Sequence, residues 1–367
     1  MHVMDALSVR NGNVIHKQTG PGALVFYPEG DLLPPPYQLR GDGMIRFTLH
    51  YPAATSVVLR YGTHTMDLSR QDDTWTAQCA ALCGFQRIQV ILDGSSVLCP
   101  CFPIGFMENQ PCNYIDLTES CQENITSGSV VSEFFYSKIS KSKQRILVYL
   151  PPQYHANPEQ RFPVLYLQHG HGENETAWIY QGKVHEICDR LIWEQEAVPM
   201  IIVMACGMVF EKTDGGVSLD FMDGFERMLL TEIIPLVDRR YRTLSDRKHR
   251  AMAGLSMGSL QTTVLTMKHP DIFSAAGLFS GFVQNPLSED QSYLAKENLE
   301  RYPDAMDIYF RAIGDTDEFL PAFSSDDVLL QNNGISCIRR IYSGGHEWNV
   351  WKQCITDFIR LIFKEGE

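Results

Sequence analysis

Residues 44 to 97 carry short runs in which apolar and polar side chains alternate. The runs are Met44–Tyr51, Ser56–Tyr61, Thr74–Ala77 and Arg87–Leu92. Alternation with a period of two is typical of strands that bury one face, and Asp93-Gly94 after the last run is a strong turn dipeptide. Because no helical period interrupts these runs, we predict a small all-β sandwich.

Farther along the chain, near-continuous apolar runs alternate with helical patterns. The runs Arg145–Leu150, Val164–Leu167 and Met200–Met204 have the composition of strands that are buried on both faces of a parallel sheet. Between Asp220 and Tyr241 apolar residues recur at helical spacing, although Pro235 should kink this helix. The alternation predicts an α/β domain with helices on both sides of a mostly parallel sheet.

Turn-forming and polar segments divide the chain into four parts. Residues 1–37 include the run Leu33-Pro34-Pro35-Pro36 and are predicted to be an extended lead-in. The β module is placed at 38–118, a polar linker at 119–130 and the α/β domain at 131–367.

Charge and cysteine content restrict the partners and the location. The formal net charge is -13, which repels phosphate backbones and anionic lipid headgroups. The first twenty residues lack the basic and apolar regions of an export signal, and no run reaches the roughly 18 apolar residues that span a bilayer. The ten cysteines include no C-x-x-C pair, which favours free thiols. We expect a cytoplasmic protein without nucleic-acid or membrane partners, and a homo-oligomer remains open.

The most informative chemical motif is Gly254-Leu255-Ser256-Met257-Gly258. It follows a short apolar strand that begins at Arg250, and helix-compatible residues follow it. In this strand–turn–helix context, G-x-S-x-G is the nucleophile elbow, in which flanking glycines allow a tight turn that exposes the serine hydroxyl. We therefore predict that Ser256 is a catalytic nucleophile rather than part of an ordinary Gly-Ser turn.

A serine nucleophile needs a base, which follows it in the chain order of this motif. Only His269 and His346 follow Ser256. His269 is placed at the far end of the helix after the elbow, whereas His346 follows a glycine pair just after the strand Cys337–Tyr342. Such a loop at a strand's carboxyl end is where these bases lie, so we predict His346 as the general base.

The imidazole in turn needs a carboxylate that fixes its tautomer. The predicted strand Asp307–Gly314 ends in Asp315-Thr316-Asp317-Glu318. Spacing alone leaves Asp315 and Asp317 as equal candidates. The carboxylates of this segment that do not contact the imidazole would instead interact favourably with the dipole at the N-terminus of the next helix.

An ester's tetrahedral intermediate needs preorganised N–H donors for its oxyanion. One donor is the backbone N–H of Met257, after the nucleophile. The other is assigned to the backbone of His171, because His169-Gly170-His171-Gly172 follows the strand that ends at Leu167 in the HG-x-G form expected there.

Two sets of residues could in principle bind a metal ion, and each is weighed against a structure without one. One set consists of Cys79, Cys83, Cys99 and Cys101, and the other of His169 and His171. The cysteines are irregularly spaced among apolar neighbours, and the histidines have no third ligand near them in sequence. We therefore expect no metal and no organic cofactor.

These residues together resemble the esterase D superfamily, an α/β-hydrolase branch that includes feruloyl and enterochelin esterases. The resemblance covers about 240 residues, from Ser132 to Phe363. The motifs that carry it are Val148–Tyr154, Pro163–Gly170, Glu175–Trp178, Arg250–Gly258, His269–Phe273 and Gly344–Trp348. In the family the acid is the aspartate of a G-x-x-D strand end, so the resemblance implies Asp317. Where the family usually has a second glycine after the elbow, this chain has Ser259.

The β module is similar to the immunoglobulin-like domain that precedes the catalytic domain in feruloyl and enterochelin esterases. The similarity rests on the strand pattern, Trp75 and Asp93-Gly94. Trp75 is expected in the sandwich core, with contact to a sugar or aryl group as the alternative.

The leading hypothesis is a serine ester hydrolase that forms an acyl-enzyme and releases hydroxycinnamic acids, such as ferulic acid, from carbohydrate esters. Trp178, Trp348 and Trp351 flank the predicted catalytic loops in sequence. At least one of them is expected to offer a flat face to the acyl group. In the alternative, Trp348 and Trp351 form one helical face that packs into the core.

The other functions that remain open are a siderophore trilactone esterase, a general carboxylesterase or acetyl esterase, and an inactive carbohydrate-binding protein. The segments around the predicted triad contain no Arg or Lys, which disfavours an anionic siderophore.

Overall fold

The computed structural model divides into two compact units, Met1–Ser120 and Cys121–Glu367. It describes residues 35–118, 125–213, 216–217, 220–286 and 288–364, together with the backbone of two paired antiparallel strands, β1 (Leu7–Arg10) and β2 (Asn13–His16). Most of the predicted lead-in and residues 119–124 of the predicted linker lie outside the described residues. The remainder of that linker ends in a strand that begins at Ser129, two residues before the predicted start of the α/β domain.

Besides the β1–β2 pair, the described residues of the first unit form two larger antiparallel sheets. One has the strand order β3-β4-β8-β7, and the other has the order β11-β12-β9-β5-β6 with β10 paired to β9. The strands are β3 (Tyr37–Leu39), β4 (Met44–His50), β5 (Val57–Tyr61), β6 (His64–Asp67), β7 (Ser69–Gln71), β8 (Thr74–Ala80), β9 (Gly84–Leu92), β10 (Ser95–Val97), β11 (Ile104–Met107) and β12 (Gln110–Leu117).

The apolar face of each sheet contributes to one shared core, which confirms the predicted β-sandwich. In β4, Ile45, Phe47 and Leu49 are buried while the residues between them are more exposed, because successive side chains of a strand point to opposite faces. Trp75 is 5% exposed and donates its indole N–H to the Tyr51 carbonyl at 3.0 Å. Trp75 therefore belongs to the core of the sandwich.

The second unit is built on an eight-stranded sheet with the order β13-β14-β16-β15-β19-β20-β21-β22. The last six strands in this order, β16, β15, β19, β20, β21 and β22, are parallel to one another. The first two strands, β13 and β14, are each antiparallel to their neighbours. The sheet strands are β13 (Ser129–Ser137), β14 (Ser142–Leu150), β15 (Val164–Gln168), β16 (Ile201–Ala205), β19 (Arg250–Leu255), β20 (Ala275–Phe279), β21 (Ile308–Gly314) and β22 (Ile338–Tyr342), and a separate short pair is β17 (Lys212–Thr213) and β18 (Gly216–Val217).

Helices cover both faces of this sheet, as predicted. They are α1 (Pro152–Ala156), α2 (Ala177–Tyr180), α3 (Val184–Trp193), α4 (Phe221–Met228), α5 (Ile234–Arg240), α6 (Met257–Lys268), α7 (Lys296–Ala305), α8 (Leu320–Asn332) and α9 (Trp348–Leu361), with short 3₁₀ turns at Arg247–His249 and Ser292–Leu294. Helix α6 packs against β15, β19 and β20 beside α4 and α7, whereas α9 packs against β20, β21 and β22 beside α3. Every residue of β15, β16 and β20 is buried, because both faces of these strands are covered.

The helix predicted between Asp220 and Tyr241 forms, but it is not uniform. A π-helical turn at Leu229–Ile233 separates α4 from α5, and Pro235 lies in the first turn of α5. Proline has no N–H and its ring clashes with the preceding turn, and a π turn accommodates such a break.

Within the described part of the chain, α9 is the longest helix, and no helix is long and apolar enough to cross a membrane.

Candidate active site

Ser256 lies at the sharp turn between β19 and α6. Its backbone has φ 50° and ψ −116°, a strained conformation for a residue other than glycine. A Cβ on Gly254 would lie 2.5 Å from the Gly258 carbonyl carbon, and one on Gly258 would lie 2.6 Å from the His169 carbonyl oxygen. The two glycines are therefore required for close packing, whereas the positive φ falls on the serine itself.

Ser259, which replaces a second glycine of the motif, fits into the elbow because another glycine faces it. Ser259 is fully buried. A Cβ on Gly281 would overlap the Ser259 hydroxyl. The space lost at position 259 is thus recovered at position 281.

His346 connects Ser256 to Asp317. Its Nε2 lies 2.9 Å from Ser256 Oγ, and its Nδ1 lies 3.0 Å from Asp317 Oδ2. The loop that carries it turns at Gly344, whose φ of 129° favours glycine. The other downstream histidine, His269, instead contacts Glu226 at 2.9 Å.

The two strand-end aspartates have different partners. Asp317 is 4% exposed and also accepts the Phe319 N–H at 2.9 Å. Asp315 is exposed and accepts the Gly344 N–H at 3.0 Å, so it supports the backbone of the histidine loop. Burial raises the pKa of Asp317, but hydrogen bonds from His346, the Phe319 N–H and Ser280 outweigh it and leave that pKa below its usual value.

Ser280 is a contributor to the site that the sequence analysis missed. It follows β20, is fully buried and has φ 50°. Its hydroxyl hydrogen-bonds Asp317 and accepts the Trp351 indole N–H at 2.9 Å. Its place at the carboxyl end of a parallel strand, beside the strand that ends before Asp317, is the signal that points to it.

The loop after β15 lies against Ser256. A Cβ on Gly170 would lie 3.5 Å from Ser256 Cβ. Met257 is the first residue of α6, where a helix leaves its N–H groups without intrahelical partners. The assignment of the His171 and Met257 N–H groups as oxyanion donors stays a prediction that this placement favours.

His169 holds the same loop in place. It is 1% exposed; its Nδ1 contacts the Gly170 carbonyl at 2.7 Å and its Nε2 accepts the Gly207 N–H at 2.9 Å. Burial lowers the pKa of His169 to about 4, so the ring is neutral. Both ring nitrogens are occupied by the backbone, and among the described residues no group of three or more metal-ligating side chains is assembled.

Glu173 joins the loop after β15 to the helix that follows His346. Its Oε2 accepts the Gly170 N–H at 3.0 Å, and its Oε1 accepts the Trp348 indole N–H at 3.0 Å and a Gln181 amide N–H at 3.2 Å. Burial raises the pKa of Glu173 to about 7 despite these three donors. This residue was likewise missed in the sequence analysis.

At least one of three tryptophans was expected to offer a face to the acyl group, but all three are buried, as the alternative of core packing had it for Trp348 and Trp351. Trp178, Trp348 and Trp351 are 1%, 1% and 5% exposed. Trp178 and Trp348 pack edge to face with centroids 5.1 Å apart, and Trp351 packs against the His346 ring at 5.1 Å. They are buried because each indole N–H has an internal acceptor, which removes the cost of enclosing it.

A different aromatic side chain, only half-buried, lies beside His346. Phe319, half-buried, packs edge to face against His346 with ring centroids 5.2 Å apart. It also packs against the buried Phe282 at 5.4 Å.

This fold and this arrangement define the class of protein. A mostly parallel sheet with helices on both faces, a serine on a strand-to-helix turn, and a histidine and an aspartate on later strand-end loops define an α/β-hydrolase. The model of the family described as putative esterase matches residues 137–361, more than half of the chain. The chain belongs to this putative esterase family.

Similar proteins include esterases that act on different esters. A xylanase/feruloyl esterase of Xylanibacter ruminicola is 30% identical over 92% of this chain, but this chain spans only 48% of that protein's length. A ferulic acid esterase structure matches 65% of this chain and 99% of its own with 28% identity and a TM-score of 0.55. The enterobactin esterase of Shigella flexneri matches 88% of this chain and 95% of its own at 14% identity, with a TM-score of 0.61, which shows a shared fold.

Proposed function

We propose that this protein is a serine carboxylic-ester hydrolase that uses Ser256, His346 and Asp317 as a catalytic triad. The observation that carries the proposal is the continuous pair of hydrogen bonds from Ser256 through His346 to Asp317, at 2.9 and 3.0 Å. Membership of the putative esterase family supports the same reaction class.

The contacts suit acyl transfer in two stages. His346 Nε2 takes the proton of Ser256 Oγ as this oxygen attacks the ester carbonyl, and then gives the proton to the departing alcohol. Water, activated by the same nitrogen, hydrolyses the acyl-enzyme and restores the serine. Asp317 holds the Nδ1–H and stabilises the imidazolium, while the N–H groups of Met257 and His171 receive the oxyanion.

The substrate we propose is an ester of an aromatic, hydroxycinnamic acid with a carbohydrate. The xylanase/feruloyl esterase relative supports this substrate class. Two aromatic side chains pack on His346, the buried Trp351 and the half-buried Phe319. Phe319 is the more exposed of the two, and a flat acyl group prefers such a neighbour. A cytoplasmic location, which the pattern of the cysteines favours, belongs to the same proposal and would be tested by cell fractionation.

A phosphonate ester that traps activated serines tests the mechanism. We expect the wild-type protein to gain one phosphonyl group, mapped to Ser256 by peptide mass spectrometry, and to lose activity in proportion. Ser256→Ala should remain unlabelled. Ser259→Ala is the matched control, because this buried serine of the same helix has a hydroxyl without a partner in the described structure. Labelling of Ser256→Ala to the wild-type extent would reject the triad.

A substrate panel tests the acyl group and the alcohol. We expect feruloylated xylo-oligosaccharide and methyl ferulate to be hydrolysed with a higher kcat/KM than acetylated xylo-oligosaccharide and a siderophore trilactone. Equal rates on feruloyl and acetyl esters would leave a general carboxylesterase. A preference for the trilactone would establish the siderophore alternative, and turnover of no ester would leave the inactive binding protein.

A further inference from the structure

The loop that follows β20 contacts both the turn at Ser256 and an aromatic side chain beside His346. A Cβ on Gly281 would lie 3.7 Å from the Ser256 carbonyl oxygen. Phe282, the next residue, packs edge to face on Phe319 with ring centroids 5.4 Å apart. Phe319 packs in the same way on His346 at 5.2 Å. The place of Phe319 beside the histidine therefore depends on this loop.

The far end of the loop is held by one buried carboxylate from α8. Asp326 is 1% exposed. Its Oδ2 accepts the Val283 N–H, and its Oδ1 accepts the Gln284 N–H at 3.0 Å and the Gln284 side-chain amide at 3.3 Å. Two consecutive backbone N–H groups thus donate to the two oxygens of one side chain, which fixes the path of the chain directly after Phe282.

A tyrosine hydroxyl binds the neighbouring backbone groups. Tyr293 is 4% exposed, and its hydroxyl oxygen accepts the Asn285 N–H at 3.1 Å. The same oxygen lies 2.8 Å from the Val283 carbonyl oxygen and from Gln291 Oε1, the two acceptors for its O–H. The segment from Val283 to Asn285 is therefore bound by two buried side chains.

Asp326 lies beside an arginine that a second carboxylate neutralises. Arg311 is fully buried, and its guanidinium carbon lies 4.1 Å from the centre of the Phe323 ring. Its Nη1 donates to Asp327 Oδ1 at 2.6 Å, whereas its Nη2 lies 3.5 Å from Asp326 Oδ2. Since Asp327 is the closer partner of the arginine, the shorter bonds of Asp326 are those to the loop.

We propose that Asp326 is a positioning residue for acyl-group specificity, which fixes the loop after β20 so that Phe282 supports Phe319 against His346. This inference rests on the proposed ester hydrolysis and deepens it. An aromatic acyl group extends to Phe319, whereas an acetyl group is too short to contact it. A loosened loop lets Phe319 take more orientations, and binding of the aromatic group must then order it.

Asp327 provides the matched control, because it is the next residue of α8 and also contacts Arg311. Its other ion pair is with Arg339 at 3.1 Å, on β22 rather than in the loop. Asp327→Asn therefore weakens the contacts of the two arginines and keeps the bonds from Asp326 to the loop. Asp326→Asn has the same shape as the wild-type residue, but one of its acceptor oxygens becomes a donor, so one loop N–H loses its acceptor.

Hydrogen exchange of the full-length chain tests the hold on the loop without any substrate. The measurement is mass spectrometry of peptides that span residues 280–285, with fragmentation to locate the exchanging amides. In Asp326→Asn we expect the Val283 or Gln284 amide to exchange about tenfold faster than in wild type, the effect of one lost hydrogen bond. Asp327→Asn should keep the wild-type rates.

Steady-state kinetics test the consequence for specificity. The ratio of kcat/KM for methyl ferulate to that for methyl acetate should fall about two- to tenfold in Asp326→Asn, the energy range of one aromatic pair. Asp327→Asn should keep the wild-type ratio. In the Phe319→Ala background, Asp326→Asn should leave the ratio where Phe319→Ala already put it, because it acts through Phe319. Loss of stability alone would lower both activities together.

Four results would overturn the proposal. They are unchanged exchange in the loop, an unchanged ratio in Asp326→Asn, an equal fall of the ratio in both aspartate variants, and a further fall when Asp326→Asn is added to Phe319→Ala. A wild-type protein that hydrolyses no ester and is not phosphonylated at Ser256 would instead reject the proposed function, and this inference with it. Normal labelling of Ser256 with an unchanged ratio would reject this inference alone.

Tyr293→Phe provides a second test if Asp326→Asn does not fold, as judged by its circular dichroism melt. It keeps the ring and removes only the hydroxyl that binds the Asn285 N–H. We expect faster exchange at Asn285 and a fall of the same ratio by about twofold. Faster exchange with an unchanged ratio would show that the loop does not affect the acyl group, and would overturn the proposal.

Discussion

The two sides of the proposed catalytic site each enclose a carboxylate, and the electrostatic surroundings of these two carboxylates shift their pKa values in opposite directions. On the histidine side, Asp317 faces the His346 imidazole, which would become positively charged in the proposed reaction, and the pKa of Asp317 is lowered. On the side of the loop after β15, Glu173 faces only neutral N–H donors, and its pKa is raised to about 7.

This difference in surroundings distinguishes two roles that a buried carboxylate can have. A carboxylate beside a group that gains charge stabilises that charge, so its removal affects the transition state. A carboxylate among neutral dipoles mainly fixes geometry, and desolvation lowers the stability of the fold when it ionises. We therefore expect Asp317 to affect turnover most and Glu173 to affect stability most.

The largest effect is expected when the histidine side loses its reacting groups. Ser256→Ala or His346→Ala should lower kcat by about three to six orders of magnitude, because triad members act as a unit. Steady-state kinetics on methyl ferulate would measure this, with thermal unfolding to verify the fold. Retention of more than about a tenth of the activity by either variant would contradict the mechanism.

The next effect distinguishes the two strand-end aspartates. Asp317→Asn should lower kcat by about 10³ to 10⁴, because an amide favours the wrong imidazole tautomer. Asp315→Asn should cost less than about tenfold, since this residue only accepts a backbone N–H in the histidine loop. The reverse order of kcat values would show that the acid was wrongly assigned.

On the other side of the site, Glu173 should make stability fall as the pH rises. Its pKa is near 4.5 in the unfolded chain and about 7 in the folded protein. The folded state therefore holds the proton more tightly, and the free energy of unfolding falls between these pH values by up to about 3 kcal/mol. Asp317 has the opposite sign: its lowered pKa contributes stability that is lost as the pH falls through the folded value.

Urea unfolding at pH 5 and pH 7.5 tests this prediction. Glu173→Gln should show a smaller fall in the free energy of unfolding than wild type, whatever its stability at either pH. Glu318→Gln, which changes an exposed glutamate in the same unit, should keep the wild-type difference. Identical differences for wild type and Glu173→Gln would mean that the buried glutamate does not titrate in this range.

The smallest effect concerns the acyl group. Phe319→Ala should remove about 0.5 to 1.5 kcal/mol of the preference for feruloyl over acetyl esters, the energy of one aromatic pair beyond its area burial. The ratio of kcat/KM values for the two esters measures it. Phe282→Leu, a change in the buried neighbour of Phe319, should alter that ratio less. An unchanged ratio in Phe319→Ala would remove Phe319 from the acyl site.

The sequence alone was sufficient for features that depend on neighbours along the chain. The nucleophile turn needs only five consecutive residues and their flanking strand and helix, and the strands of the parallel sheet are visible as apolar runs because both faces are covered. The chain order of the motif led to the proposal of His346 as the base, and the structure brings this residue within 2.9 Å of Ser256 Oγ. Spacing left Asp315 and Asp317 equal, and a family resemblance favoured Asp317.

Tertiary structure decided everything that depends on residues distant in the chain. Glu173 and Trp348 are 175 positions apart, and no local pattern shows that they share a hydrogen bond. Ser280 acquires its role only because β20 and β21 end side by side. The tryptophans illustrate the same limit. An indole that is close in sequence to a loop of the site can line a pocket or enter the core, depending on where its N–H finds an acceptor. Here the acceptors of all three indole N–H groups lie inside the fold.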